Sequence, residues 1–187
     1  MKDYAANKIR NFALVGHGSS GKTMLSEAML LKSGEINRLG SIEAGSTVSD
    51  YHHDEHDRQI SIHSSPLHLE WNETKFNLID TPGYLDFIGE TISSLAVVDA
   101  AIIVIHAVNG IEVGTEQVWN YSSDFGLPKT LVINGLDREN TKFDEILKQA
   151  KKHFGSNVFP MQLPVNSGPG FNQIIDVLRS ELITYST

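Results

Sequence analysis

The sequence predicts an α/β domain on a mainly parallel sheet, and three observations carry the prediction. Short apolar runs rich in β-branched residues alternate with longer helical patterns, the arrangement of strands joined by crossover helices. A glycine-rich stretch, Gly16-His17-Gly18-Ser19-Ser20-Gly21-Lys22-Thr23, lies where the first such strand gives way to the first helix. The 187 residues include no cysteine, so the fold rests on an apolar core, without disulfides or thiolate-bound metal. A chain of this length buries about 70% of its unfolded surface, which is enough for such a core.

Strands are expected over residues 11–15, 60–70, 76–79, 100–105, 130–133 and 158–160. The second and third read as a hairpin, since Trp71-Asn72-Glu73-Thr74 supplies turn-type residues between two extended runs. That pair is the one antiparallel element; helices are expected on both faces. They start at Gly21, near Glu90, near Thr115 and at Phe143, and Gly34 suits a C-cap for the first. Between residues 36 and 59 the periodicity disappears and the segment reads as a mobile functional loop. His52, His53 and His56 stand there among acidic residues. They are metal-ligand types, but without a regular scaffold they read as solvated charge.

The 15 Lys and Arg against 23 Asp and Glu give a net charge of −8. This argues against holding DNA by general charge attraction. The N-terminus has no signal-like apolar stretch, and the longest apolar run, residues 100–105, is far short of the ~20 residues that span a bilayer. Cytosolic residence without a membrane partner is the expectation.

The glycine-rich stretch matches G-x-x-x-x-G-K-[ST] at every fixed position. Backbone N–H groups from His17 through Gly18, Ser19, Ser20, Gly21, Lys22, Thr23 and Met24 would line one concavity at a helix N-terminus and hold phosphate oxygens. Lys22 adds positive charge for the β- and γ-phosphates, and Thr23 offers a hydroxyl to Mg²⁺. The alternative is a glycine-rich turn that binds nothing. Fifty-eight residues after Lys22, Asp80-Thr81-Pro82-Gly83 closes a predicted strand. Asp80 would reach Mg²⁺ through water, and Gly83 would offer its N–H to a γ-phosphate, although the same four residues also make an ordinary turn. Asn134-Gly135-Leu136-Asp137 follows another strand. The Asp137 carboxylate can accept from the N1–H and amine of guanine, a donor pair adenine lacks, with Asn134 supporting the loop. Asn-Gly by itself is a turn signal.

Together with Asp57-Arg58-Gln59-Ile60-Ser61-Ile62, Asp80 to Phe87, Asn134 to Asn140 and Pro160 to Val165, these motifs resemble the GTP-binding domain of elongation factor G over nearly the whole chain. The likeness is stronger to the paralogous elongation factor G-like subfamily than to the main translocase. It implies a Ras-like P-loop GTPase fold and Mg²⁺-dependent, intrinsically slow GTP hydrolysis. It further implies a ribosome partner, in translocation or ribosome release. It also implies Ser61 as the switch hydroxyl on Mg²⁺, completing a metal set of Thr23, Ser61 and Asp80, and catalytic positions at Lys22, Gly83 and Tyr84. Main-line members carry Thr at Ser61, Asp at Ser19, Lys at Gly135 and His at Tyr84. A phenol with a pKa near 10 is a poor base at neutral pH, so Tyr84 is either a water-positioning hydroxyl or a packed aromatic. Two other functions compete: a nucleotide-gated ribosome-binding module with little hydrolysis, and a P-loop ATPase or kinase, against which Asp137 counts.

The resemblance also divides the chain. Residues 1–168 are expected to form the GTP-binding domain without its last guanine loop and closing helix, and residues 169–187 to begin an inserted subdomain. In the alternative, Asn166-Ser167-Gly168 is that loop and residues 171–182 are the closing helix.

Overall fold

The computed structural model describes residues 2–186. Its strands are β1 (Ile9–Val15), β2 (Ser65–Trp71), β3 (Thr74–Asp80), β4 (Ala100–His106), β5 (Lys129–Asn134), β6 (Gln162–Pro164), β7 (Gln173–Asp176) and β8 (Glu181–Thr184). Its helices are α1 (Lys22–Ser33), α2 (His53–Arg58), α3 (Ile88–Leu95), α4 (Val113–Asp124) and α5 (Phe143–Phe154). The first five strands form one sheet in the order β2-β3-β1-β4-β5, and the last three form another. By contacts the chain divides into two units, residues 1–104 with 113–132, and residues 105–112 with 133–187.

The twofold repeat of β1 sets the layers of the first unit. Phe12 and Leu14 point to one side and pack with Leu30, Leu69 and Leu78, flanked by Leu25 and Met29 of α1. Ala13 and Val15 point to the other and pack with Leu95 of α3, Ala101, Ile103 and Val118 of α4. Burying a side chain such as Leu14, Leu78 or Ile103 is worth about 1.5–3 kcal/mol each. The buried apolar run from Phe12 to Val15 therefore demands helices on both faces, as expected. Strand β1 runs parallel to β3 and β4, and β2 antiparallel to β3. The β2–β3 turn places Asn72 and Glu73 at φ 46° and 58°, the two left-handed residues of a tight hairpin that follows the sheet twist.

Two expected strands lie elsewhere. The strand expected from residue 60 begins only at Ser65, because residues 60–64 leave a helix through left-handed Gln59. They are then held by side chains: Glu55 accepts from Ile62 and His63, and Glu90 from Ser64. The strand expected at 158–160 lies instead at β6, the segment that finds a partner in β7. Residues 171–182 form no closing helix. Ile174-Ile175 supplies β-branched residues for β7, and Asp176, accepting from the Arg179 N–H at 3.0 Å, turns the chain into β8. Strand β6 lies before residue 168 and β7 after it, so the small sheet joins both sides of the expected boundary.

The polar segment 36–59 is fastened down and contains α2, which its lack of periodicity hid. Glu27 of α1, fully buried, accepts from Gly40 N–H at 2.7 Å and Val48 N–H at 2.6 Å. One carboxylate thus closes an arc of the chain onto the helix. Replacing it should strand two part-buried donors at a cost of about 1–3 kcal/mol. Glu27→Ala is therefore expected to lower the unfolding midpoint and to speed hydrogen exchange selectively across residues 37–50. Unchanged exchange there would mean that the arc is held by other contacts.

Candidate functional site

In the first unit the chain after β1 turns through Gly16 at φ 144°, where a side chain would collide with the Val104 carbonyl. Ser19 at φ 61° and Gly21 at φ 95° continue the turn into α1. Successive amides are thereby brought to the head of a helix, the geometry that binds phosphate. Lys22 is buried and donates to the carbonyls of Gly16 and His17 at 3.0 and 2.9 Å, which folds the ammonium back over the loop. Burial pulls it down to about 8, against the opposing pull of Asp80 and Asp50.

Asp80 ends β3 at 2% exposure. Burial pushes its carboxyl up to about 6; Lys22 and the hydroxyls of Ser49 and Thr23 hold it down, and Asp50 adds to the rise. Its Oδ2 accepts from Ser49 at 2.9 Å, while its buried Oδ1 has no partner among the described residues. Nearby the Thr23 and Ser61 hydroxyls stand 3.2 Å apart. Two hydroxyls and a carboxylate oxygen left open are hard-oxygen donors of the kind Mg²⁺ takes alongside water. The residues present therefore fit the expected metal set of Thr23, Ser61 and Asp80.

Sequence reasoning missed Asp50 and Ser49, both buried in the segment read as mobile. Burial raises Asp50, Glu55 adds to that rise, and Ser61, His56 and Lys22 oppose it. Nothing in the local pattern distinguishes Asp50 from the other acidic residues around it. The three histidines singled out beside it do not converge. His53 pairs with Asp57 at 2.9 Å, His56 meets the Asp50 carbonyl at 2.7 Å, and His52 stacks on Tyr51 and His63.

Gly83 lies so close to Lys22 Nζ and the Gly18 amide that any side chain there would clash with both. The ring of Tyr84 lies over Gly18, within 3.1–3.2 Å of where a Cβ would stand. Gly83, Tyr84 and Lys22 are thus neighbours against the glycine-rich loop.

In the second unit, Gly135 follows β5 at φ 79°, and Ala107 N–H donates to Asn134 O at 2.8 Å. Arg138 N–H closes a turn on Gly135 O at 3.2 Å, leaving Asp137 exposed. Gly168 N–H donates to Leu136 O at 2.6 Å, which sets Asn166-Ser167-Gly168 against the same turn. Asn134 and Asp137 therefore share one ordered loop.

A family model described as the Elongation factor Tu GTP binding domain matches residues 7–183. Among curated relatives, "Ribosome-releasing factor 2, mitochondrial" of Candida dubliniensis is 37% identical over 191 residues, 100% of this chain and 24% of that protein. The protein of the same name in Debaryomyces hansenii is 35% identical, over 97% of this chain and 22% of its own length. A crystal structure of a Thermus thermophilus protein superposes with a TM-score of 0.91 at 34% identity, covering 96% of this chain and 27% of that one. The chain spans about a quarter of the length of these curated relatives. No helix among the described residues is long and apolar enough to cross a membrane.

The raised Asp80 carboxyl has a consequence for stability. Between its unfolded pKa near 3.9 and about 6, folding takes up a proton, so its contribution is present at low pH and lost as pH rises through 6. Asp80→Asn fixes the neutral form. Without nucleotide or magnesium it is expected to stabilise the chain by about 2–3 kcal/mol at pH 8, at about 1.4 kcal/mol per pKa unit. The gain should fade between pH 6 and 4. Denaturant unfolding at both ends of that range measures it, and a destabilised variant at pH 8 would contradict the shift.

Proposed function

The chain belongs to the elongation factor Tu GTP-binding-domain family, and from that premise we propose that it binds GTP and GDP with Mg²⁺ and hydrolyses GTP slowly until a ribosome stimulates it. In this reading it is part of a longer factor that works in translocation or ribosome release, and the name ribosome-releasing factor 2 carried by its relatives speaks for release. The observation that carries the proposal is the buried Lys22 facing an Asp80 with an open oxygen, beside the Thr23–Ser61 hydroxyl pair. A lone ammonium among two carboxylates, deep in the fold, calls for further positive charge and for an anion to meet it.

Amides from His17 to Met24 hold the phosphate chain, and Lys22 sets its charge against the β- and γ-phosphates. Thr23, Ser61 and Asp80 would hold Mg²⁺, with Asp50 and Ser49 keeping Ser61 and Asp80 in place. When bound, Mg²⁺ would supply positive charge against the charge that develops on the phosphates. Gly83 offers its N–H to the γ-phosphate, and Asp137 with Asn134 reads the guanine edge. Residues from 169 onward open an inserted subdomain that takes β6 as one of its strands. Cytosolic residence belongs to the same reading; the relatives named above carry mitochondrial names.

A nucleotide-binding measurement tests this. Asp137→Asn should weaken GDP binding and favour xanthine nucleotides, whose ring has a carbonyl where guanine has its amine. The mispaired group costs about 1–3 kcal/mol, roughly 5–150-fold in affinity. Unchanged GDP affinity would remove Asp137 from the site.

A module that binds nucleotide with little hydrolysis is the second reading, and the packing of Tyr84 on Gly18 favours it. Tyr84→His in the full-length protein distinguishes the two. General-base assistance is typically worth 10²–10⁴-fold, so a rise in ribosome-stimulated turnover at constant nucleotide affinity is expected. A lower rate would make Tyr84 the adapted catalytic or packing group.

A further inference from the structure

Away from the phosphate loop, His52, Asp54 and His63 each offer a ligand atom, all within 4.8 Å of one another, and among the described residues they are the one such group found. His63 Nε2 already stands 3.6 Å from Asp54 Oδ2, and the His52 and His63 rings are 4.4 Å apart at their centroids. We propose that these three side chains bind a divalent zinc ion that clamps the segment between residues 52 and 63.

The donor set selects the metal class. Two imidazoles and one carboxylate suit zinc, whereas Mg²⁺ and Ca²⁺ take oxygen alone. At zinc–donor distances near 2.0–2.2 Å, tetrahedral ligands stand about 3.3 Å apart. Side-chain rotation covers the remaining gap, and water takes the fourth position.

The backbone beneath these ligands is already fixed, and by one group. Buried Glu55 accepts from His52 N–H through Oε2 at 3.2 Å, and from Ile62 and His63 N–H through Oε1 at 2.9 Å each. A single carboxylate therefore holds both histidine-bearing stretches in register. Asp54 reaches the same place from the first turn of α2. Such an arrangement lowers the ordering cost that an exposed three-donor site otherwise meets. The acidic chain also favours cation approach.

Ser61 lies two residues before His63, so a metal on His63 restrains the stretch that carries Ser61 to Thr23. The zinc site goes beyond nucleotide chemistry and stands whether or not the chain hydrolyses GTP.

The test is a zinc titration of the full chain, stripped with chelator, against a chromophoric competitor, without nucleotide or magnesium. One equivalent should bind. His63→Ala and Asp54→Asn should each lower affinity by at least about tenfold, since even outer-shell changes cost 10–100-fold. His53→Ala and His68→Ala, histidines outside the cluster, should leave it unchanged. Hydrogen exchange across residues 52–63 should slow with zinc in the native chain but not in His63→Ala. Absence of stoichiometric binding, or an equal loss in His53→Ala, would overturn the site.

Discussion

The burial of Lys22 with Asp80 and Asp50 is the constraint on which the first unit turns. An ammonium and two carboxylates share a region from which water is largely removed, where isolated charge is expensive. Their influence on one another shows in the titration of all three. Such a set is unbalanced by one negative charge. It is therefore poor as a stability device and well suited to a task in which further charges arrive. The cost is carried by the two-sided core around β1, whose apolar residues hold the loop after Val15 in a strained course.

Around that centre the polar segment is ordered by two other buried carboxylates, which spend their oxygens on the backbone. Glu27 and Glu55 turn their oxygens to backbone N–H groups, four of them from residues 40, 48, 62 and 63 and a fifth from His52. Charge-assisted hydrogen bonds of this kind are stronger than neutral ones, and they substitute for the regular ladders the segment lacks. Order here thus comes from side-chain acceptors, and the segment stays free of the repeating pattern that would tie it to the sheet.

That is also why this segment was illegible in the sequence while the rest could be read. The strands and the long helices announce themselves through periodicity, and Gly16 to Thr23 through a spacing that chemistry demands at a strand–helix junction. Asp50, Ser49, Glu27 and Glu55 act through tertiary hydrogen bonds to partners up to 31 residues away, a relation no local window contains. Helix α2 is six residues long with mostly charged faces, so no hydrophobic stripe marks it. The missing closing helix has a similar cause: residues 171–182 carry apolar side chains that fit either period, and pairing with β6 decides for strand. Family resemblance was informative for the motifs because they are contiguous, and less so for boundaries, which depend on pairing.

The segment after β3 is anchored at both ends. Thr81 donates to the Leu14 carbonyl at 2.7 Å, and Thr91 of α3 donates to the Pro82 carbonyl at 3.1 Å. Both ends of the turn are therefore hydrogen-bonded to the frame. Between them, Gly83 passes close to Lys22 and the Tyr84 ring lies over Gly18. A ring over a glycine contributes dispersion, individually small and without direction, whereas the flanking hydrogen bonds are directed. A side chain at Gly83 or Gly18 would break this approach, so both glycines answer to the close passage of the chain.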